Sequence, residues 1–560
     1  MKPWDHEFDL LVVGSGAAAL STALRAHDLG ARVLLVEKSS HWGGSTAMSG
    51  GVCWVPNHPW MDSVGIEDSR EEALTYLGHV TAGEVEPARL EAYVDGAHRL
   101  LRWASETSHL AFDPIPAYCD YYPEAPGGKP GGRSMDSRPF DGARLGHALE
   151  TLRRPHPQSQ ILGLFGITAA QAQTLLAGSL LARMWLMLRC FVGYFLRGLK
   201  RRRFGRDTRL TTGNALCARL RRSLMDRGVE LWLESPCREL VTEDGRVMGI
   251  VVQKGETSLR LRGRWGVMLA AGGFERSQVL RDRFHPFESQ TDWNAGNEAN
   301  EGDGILMGEV AGGDLRLMDQ LWWTPVSQVP RSEFAWVLVV EKNLPGSIFV
   351  NAQGQRFMNE AEPYLDAGRH MLSQGPCWLL FDARYRHLYP CGPVAPGYAM
   401  PDKRVPRRLR EGYLKTAATV RELAGVIQVD PAVLEATLAE FNQAASAGHD
   451  GAFGRGESAS DRYYGDPRVQ PNPCLAALDK PPFYAVPIYP GDLGTKGGLA
   501  TDVKGRVIDG EGRAISGLYA AGNNSASVMG PSYPGAGGTI GPALTFGFLA
   551  AEAAKEDAGD

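Results

Sequence analysis

Gly14 and Gly16, followed by Ala18 and Ala19, have the spacing of a G-x-G-x-x-A turn that holds a pyrophosphate. The glycines permit a tight turn and close backbone approach, and the amino terminus of the next helix attracts the negative charge. Glu37 stands 21 positions after Gly16, where an acid can bond ribose hydroxyls, with Lys38 beside it. A second glycine-rich loop carrying hydroxyls follows at once: Gly43, Gly44, Ser45 and Thr46, then Ser49, Gly50 and Gly51. A nicotinamide enzyme should instead proceed to its third strand and helix. A second cradle fits the extended pyrophosphate and isoalloxazine edge of FAD.

The elements that position these residues follow from hydrophobic patterning. Phe8–Val13 is a short apolar run suited to a buried parallel strand, and a helix pattern runs to about Leu29. Ala31–Val36 predicts the second strand. Later, Val267–Ala270 reads as a strand entering the small-residue turn Ala271, Gly272 and Gly273, and Gly517–Ala521 as another closing at Gly522 and Asn523. Gly537, Gly538, Thr539 and Ile540 then lead into a helix from about Leu544 to Ala554, and such a loop suits the flavin edge where negative charge grows on reduction. The first and last segments therefore build one FAD site. The fold class expected is α/β: a Rossmann-like, discontinuous FAD domain over 1–285 and 480–560, with an inserted α+β catalytic domain over 286–479.

Composition narrows the function classes. A chain of 560 residues exceeds a single core, and 43% apolar with 22% charged residues is a globular balance. The net charge of −5 gives no basic surplus for nucleic acid. Eight scattered cysteines without paired spacing point away from a disulfide framework or zinc site and towards a reducing cytosol. The start of the chain lacks a basic head, apolar core and small-residue cleavage site, so no secretory leader is expected.

The GxGxxA–Glu37 unit, the GGSTAMSGG loop, Asn300–Gly304 and Asn351…Arg356-Phe357…Asn359-Glu360 resemble the fumarate reductase/succinate dehydrogenase flavoprotein superfamily. Within it, Gly43–Trp54, Tyr121–Gly128 and Met529–Ala543 are similar to 3-ketosteroid Δ1-dehydrogenases. The similarity covers nearly the whole chain apart from 155–208, and the carboxy-terminal motif is the most specific part. It implies FAD-dependent 1,2-desaturation of ring A, with proton loss from C2 and hydride transfer from C1 to flavin N5. It further implies that Tyr533 and the Gly537 N–H hold the ketone oxygen, that Tyr364 is the base, and that Tyr121 assists it, with Tyr118 and Tyr122 as competitors for that last role. No histidine stands in the Gly43–Gly51 loop for a covalent flavin link, and Trp42 and Ser45 lie there, so noncovalent FAD is expected. Arg356 is expected to brace the domain interface, without the histidine–arginine group a dicarboxylate needs, and Trp322, Trp323, Phe349 and Tyr533 are candidates for a flat apolar pocket. A quinone or similar carrier is the expected electron acceptor. Rival readings are a Δ4-(5α)-dehydrogenase, a fumarate-type reductase, or a sterol carrier with structural FAD.

One stretch departs from the family pattern. Pro155–Ala182 contains no Lys, Arg, Asp or Glu, an apolar and aromatic run continues to Phe195, and Arg197, Lys200, Arg201, Arg202, Arg203 and Arg206 follow. Arg183, Arg189 and four glutamines disfavour a bilayer span, for which ~20 apolar residues are needed. The pattern predicts a monotopic anchor on the cytoplasmic face of the membrane, delivering steroids that keep a C17 side chain.

Overall fold

The computed structural model describes residues 3–559. Strand β1 (His6–Val13), buried from Phe8 onward, feeds helix α1 (Ala17–Asp28) and strand β2 (Val33–Val36). Helix α2 (Pro87–Thr107) follows, then three helices within the unusual stretch: α3 (Ala169–Ala177), α4 (Leu180–Leu196) and α5 (Gly198–Phe204). Strand β3 (Glu230–Trp232) pairs with β2, and an antiparallel meander of β4 (Cys237–Glu243), β5 (Arg246–Lys254) and β6 (Thr257–Leu269) returns to β1.

β6 runs parallel to β1 from His6↔Leu261 onward, and after a register shift between Phe8 and Leu10 its last four residues, Gly266 to Leu269, pair with Leu10 to Val13. β2 flanks β1 on the other side in register Leu10↔Val33 to Val13↔Val36. The carboxyl ends of these strands therefore line up, and each opens into one of the loops singled out above. Ligands of open α/β sheets bind outside those ends.

The inserted domain has its own antiparallel sheet. Its strands are β7 (Leu321–Ser327), β8 (Trp336–Val337), β9 (Ser347–Val350), β10 (Cys377–Phe381), β11 (Lys415–Ala417) and β12 (Phe483–Thr495), in the order β8-β7-β12-β10-β9 with β11 also on β12. Helix α6 (Tyr364–His370) lies between β9 and β10. Both expected boundaries move. Met307 and Ala311 still pack on the core of the first sheet, so the second sheet starts well after 286. At the other end β12 belongs wholly to the second sheet, so the chain returns after Thr495 and not at 480.

The return is made by β13 (Arg506–Ile508) and β14 (Ala514–Ala520), the latter parallel to β6 through Val267↔Leu518 to Leu269↔Ala520. Helix α7 (Ile540–Ala558) then packs on α1. Small residues let the two approach closely: the Ser21 hydroxyl donates to Leu544 O (2.8 Å) and that of Thr22 to Gly547 O (3.0 Å). Chain start and chain end thus form one layer, as the discontinuous domain requires.

Candidate active site

The glycine loops at the sheet's carboxyl edge border a cleft of about 820 Å³. Gly14, Gly16 and Ala18 line it, with Glu37 and Lys38, Gly44, Ser45 and Thr46, Ser49, Gly50 and Gly51. Ala271, Gly272, Gly522, Asn523, Thr539 and Ile540 complete that end. Helix α1 begins at Gly16 with no side-chain cap, and only the Ala17 N–H has a side-chain acceptor there, Thr46 Oγ1 at 3.0 Å. Its amino terminus is thereby open to an anion. Glu37 receives the Ser15 hydroxyl (2.5 Å) on one oxygen and the Ser39 N–H (3.0 Å) on the other. Each oxygen keeps a lone pair for a ribose hydroxyl. Burial pushes the Glu37 carboxyl up, against the pull of those two bonds. Lys38 is tied to Glu301 (2.8 Å) and Asp303 (2.5 Å), two acids that raise its ammonium pKa. These residues fit FAD.

Four expected cofactor contacts do not line the cleft. Ala19 is wholly buried within α1. Gly43, Gly273 and Gly538 are backed instead by Ala47, by Thr495 and by the Tyr533 ring, each within 3.0 Å of where a side chain would start. They shape the loops from behind.

At the other end of the cleft three tyrosines come together from three regions of the chain. Tyr121, Tyr364 and Tyr533 meet edge to face, with ring centroids 5.3 Å apart for 121–364, 5.4 Å for 121–533 and 5.3 Å for 364–533. All three are buried and all line the cleft. Tyr364 opens α6 directly after Pro363, so its position is fixed by a helix start. The Tyr121 segment is clamped to the carboxy-terminal loop: its N–H donates to Pro534 O (3.0 Å), and the Tyr76 hydroxyl donates to the same carbonyl (2.6 Å).

The competitors are otherwise engaged. The Tyr122 hydroxyl donates to Asp366 (2.7 Å), and Tyr118 shares a 2.6 Å hydrogen bond with Tyr464 while stacking on Tyr463 at 4.3 Å. Tyr121 alone touches both partner rings, and its buried hydroxyl makes no well-formed hydrogen bond. Burial pushes the Tyr364 phenol well above the ordinary value, Tyr533 adds to the rise, and the Tyr121 hydroxyl opposes it. Tyr533 is also pushed up by burial, with Tyr364, Thr539 and the Gly537 N–H acting against the rise. A phenol held protonated beside a backbone N–H gives two donors side by side.

Gly537 is required for a reason other than ligand approach. Its φ is +99°, and a Cβ would lie 2.5 Å from Val52 O and 2.6 Å from Trp54 N. Backbone that continues the Gly43–Gly51 loop occupies the space, and Trp54 N–H donates to Gly537 O at 3.2 Å. The loop bearing Tyr533 is thus fastened to the dinucleotide half of the site.

The FAD binding domain family model matches residues 9–540. The 3-oxosteroid 1-dehydrogenase of Mycobacterium tuberculosis is 42% identical over 99% of this chain and 99% of its own length. That of Comamonas testosteroni is 36% identical over 98% and 96%. The chain belongs to the 3-oxosteroid 1-dehydrogenase family. Its fold also matches the crystal structure of 3-ketosteroid delta1-dehydrogenase from Sterolibacterium denitrificans, in complex with 1,4-androstadiene-3,17-dione, at a TM-score of 0.95 and 43% identity over 98% of this chain and 100% of that one.

Beside the family's motifs the structure adds residues that sequence reasoning missed. Lys496 is buried, donates to Ser532 O (2.5 Å) and lies 4.3 Å over the Trp322 ring, which in turn packs 4.8 Å from Tyr533. Burial drives its ammonium pKa well down, with Arg369 contributing. Its one sequence signal was a lysine among the glycines of Gly491–Gly498. From that segment Leu493 reaches the cleft and Gly494 abuts Asn523. Of the expected aromatic lining, Trp322 and Tyr533 hold. Trp323 packs on Phe287, and Phe349 is core of the inserted domain. Arg356 binds Glu360 and Asp450 (both 2.8 Å), bracing the inserted domain internally and not the domain interface.

Proposed function

We propose that the protein desaturates ring A of 3-ketosteroids between C1 and C2, using noncovalently bound FAD. The observation that carries this reading is the continuity of one cleft, in which a dinucleotide cradle passes into three convergent tyrosines beside the Gly537 N–H. Bound FAD supplies the acceptor for the C1 hydride. The Tyr533 hydroxyl and Gly537 N–H donate to the C3 oxygen and stabilise the negative charge that gathers there when C2 loses its proton. Tyr364 takes that proton, and Tyr121, whose hydroxyl lowers the Tyr364 pKa, stabilises the phenolate form. The apolar surroundings exclude water from the reacting ring.

The experiment is anaerobic mixing of purified holoenzyme with cholest-4-en-3-one. Loss of yellow flavin absorbance together with one equivalent of the 1,4-dien-3-one is expected. Unchanged absorbance, or return of the yellow absorbance when the reduced form is mixed with fumarate alone, would overturn the assignment.

The same reading includes a membrane surface and a quinone drawn from it. Among the described residues no helix is long and apolar enough to cross a bilayer. Yet Leu180, Leu181, Trp185, Leu188, Phe195, Leu196 and Leu199 are 62–84% exposed. Such a contiguous apolar patch calls for a partner surface. The basic run is weaker than expected. Arg206 is buried on Leu152 O and Asn214, Arg197 pairs with Asp207 and Lys200 with Asp141. Arg201 donates to Tyr194 O (3.1 Å) and lies over that ring, so Arg202 and Arg203, both exposed, remain for anionic lipid at about 1 kcal/mol each. Two of the four glutamines contribute as well: Gln158 bonds Val337 through both amide atoms and Gln173 donates to Tyr463 O, tying the insertion to the body. Ile161, Ile167 and Ala172 meanwhile line the cleft opposite Val337, Val339 and Val340. An apolar C17 side chain fits that wall, with the protein lying peripherally on the inner face of the cytoplasmic membrane.

Deleting the insertion would remove the cleft wall, so substitution is the better test. Leu181→Ser, Trp185→Ser, Leu188→Ser and Phe195→Ser combined should abolish sedimentation with phosphatidylglycerol vesicles. Each buried side chain contributes up to ~1.5–3 kcal/mol. Turnover of cyclodextrin-dispersed steroid should stay within about twofold of wild type, because turnover then depends on the cleft and not on membrane delivery. Unchanged sedimentation would remove the anchor.

A further inference from the structure

Behind the Gly43–Gly51 loop lies a buried acid that no step above uses. Glu275 has no solvent exposure. Its Oε1 accepts from Asn300 Nδ2 at 2.6 Å, and its Oε2 has no partner. The neighbouring cation Arg281 is engaged with Asp492 at 2.6 Å and with the Glu275 carbonyl at 2.8 Å, so among the described residues the Glu275 carboxyl has no ion-pair partner. The Asn300 amide is wedged: a Cβ on Gly272 would fall 2.7 Å from its nitrogen, and Asn297 Nδ2 donates to its Oδ1 at 3.1 Å.

The other Asn300 amide hydrogen goes to Ser45 Oγ at 3.1 Å, and the Asn297 N–H reaches the same oxygen at 3.1 Å. A serine hydroxyl has two acceptor sites and one donor. Both acceptor sites of Ser45 are filled from behind, so its O–H is left to donate forward. Ser45, Asn297 and Asn300 all line the cleft at the cofactor end.

We propose that Glu275 is a positioning residue for the cofactor: through Asn300 it aims the Ser45 hydroxyl at an acceptor atom of FAD, and its own protonation is coupled to FAD binding. The inference rests on FAD occupying the cleft. The coupling follows from charge. Burial raises the Glu275 carboxyl to about 7, Asp492 adds to the rise, and Asn300 and Arg281 oppose it. Arg276 also faces it. FAD carries a pyrophosphate dianion, so its arrival favours the neutral acid. Below pH 7 the acid is already neutral; above pH 7 binding must take up a proton, and affinity falls as pH rises.

The test is the FAD dissociation constant, measured by flavin fluorescence on reconstituting apoprotein between pH 6 and pH 8.5. Wild type should weaken severalfold across that range. Glu275→Gln, a neutral isostere that still accepts from Asn300, should match wild type within about twofold at pH 6, show no pH dependence, and bind FAD more tightly than wild type at pH 8.5. Ser45→Ala should weaken binding about tenfold at every pH. A flat wild-type profile overturns the proposal even if Glu275→Gln is insoluble, and so does a Gln variant that keeps the wild-type slope. If wild type binds no FAD at any pH, it is the functional reading above that fails.

Discussion

Tyr364→Phe is expected to lower kcat/KM by about 10²–10⁴, the usual contribution of a positioned general base, while bound FAD and steroid affinity change little. The ring remains to fill its place among Tyr121 and Tyr533, so the loss isolates the hydroxyl. The pH profile separates chemistry from packing. Burial holds the wild-type phenol well above its ordinary pKa. If the phenolate removes the C2 proton, the reactive fraction rises about tenfold per pH unit below that pKa, and log kcat/KM in wild type climbs with pH. The Phe variant has no such group, and its residual rate should be flat over the same range. Solvent exchange into the C2 position of the substrate should vanish with it. A variant that keeps the wild-type slope, or exchanges C2 hydrogen at the wild-type rate, would move the base elsewhere, with Tyr118 and its Tyr464 partner the first place to look.

How much of this was legible in the residues depends on how far apart the partners lie in the chain. The segment from Phe8 to Glu37 could be read directly, because strand, turn, helix, second strand and acid are all specified within one short βαβ unit. The tyrosines could not be read that way. Tyr121, Tyr364 and Tyr533 come from three distant regions, and nothing local distinguishes them from any other buried aromatic; only the family resemblance selected them. Among Tyr118, Tyr121 and Tyr122 spacing gives no preference, whereas the structure shows two hydroxyls already engaged with Tyr464 and Asp366. Lys496 and Glu275 were missed for the same reason, since each acts through contacts that only the folded chain makes, whereas Trp322 was among the aromatics expected to line the pocket. The boundary at 480 was misplaced because an apolar strand such as β12 looks the same whichever sheet it joins. The six cations after Phe195 were overcounted because composition does not reveal which of them fold inward or pair with an acid.

Convergence of the three tyrosines also explains why the site needs the discontinuous architecture. Tyr121 is delivered by the amino-terminal part, Tyr364 by the inserted domain and Tyr533 by the carboxy-terminal loop that precedes α7. The Pro534 carbonyl, which accepts from both the Tyr121 N–H and the Tyr76 hydroxyl, fastens first to last. Tyr364 is the member on the inserted domain, so the base we propose comes from a different part of the chain than the dinucleotide cradle.

The heavier consequence falls on Tyr533. Tyr533→Phe should reduce kcat by about 10²–10³, corresponding to some 2.7–4 kcal/mol for one donor of an oxyanion site. The loss should appear in kcat more than in KM, because the ketone oxygen of the bound steroid carries little charge and the developing enolate carries much. The Gly537 N–H is a backbone group that no side-chain change removes, so residual activity should persist. FAD content should be unchanged, because the substituted ring keeps its packing against Trp322. Absorbance of the purified variant measures that content directly. A phenolic A-ring steroid, whose anion resembles the enolate, offers a second measurement: its affinity should fall about tenfold in the variant if the hydroxyl donates to that oxygen. A kcat within threefold of wild type, with full flavin and undiminished phenol binding, would show that the ketone is held somewhere other than between 533 and 537.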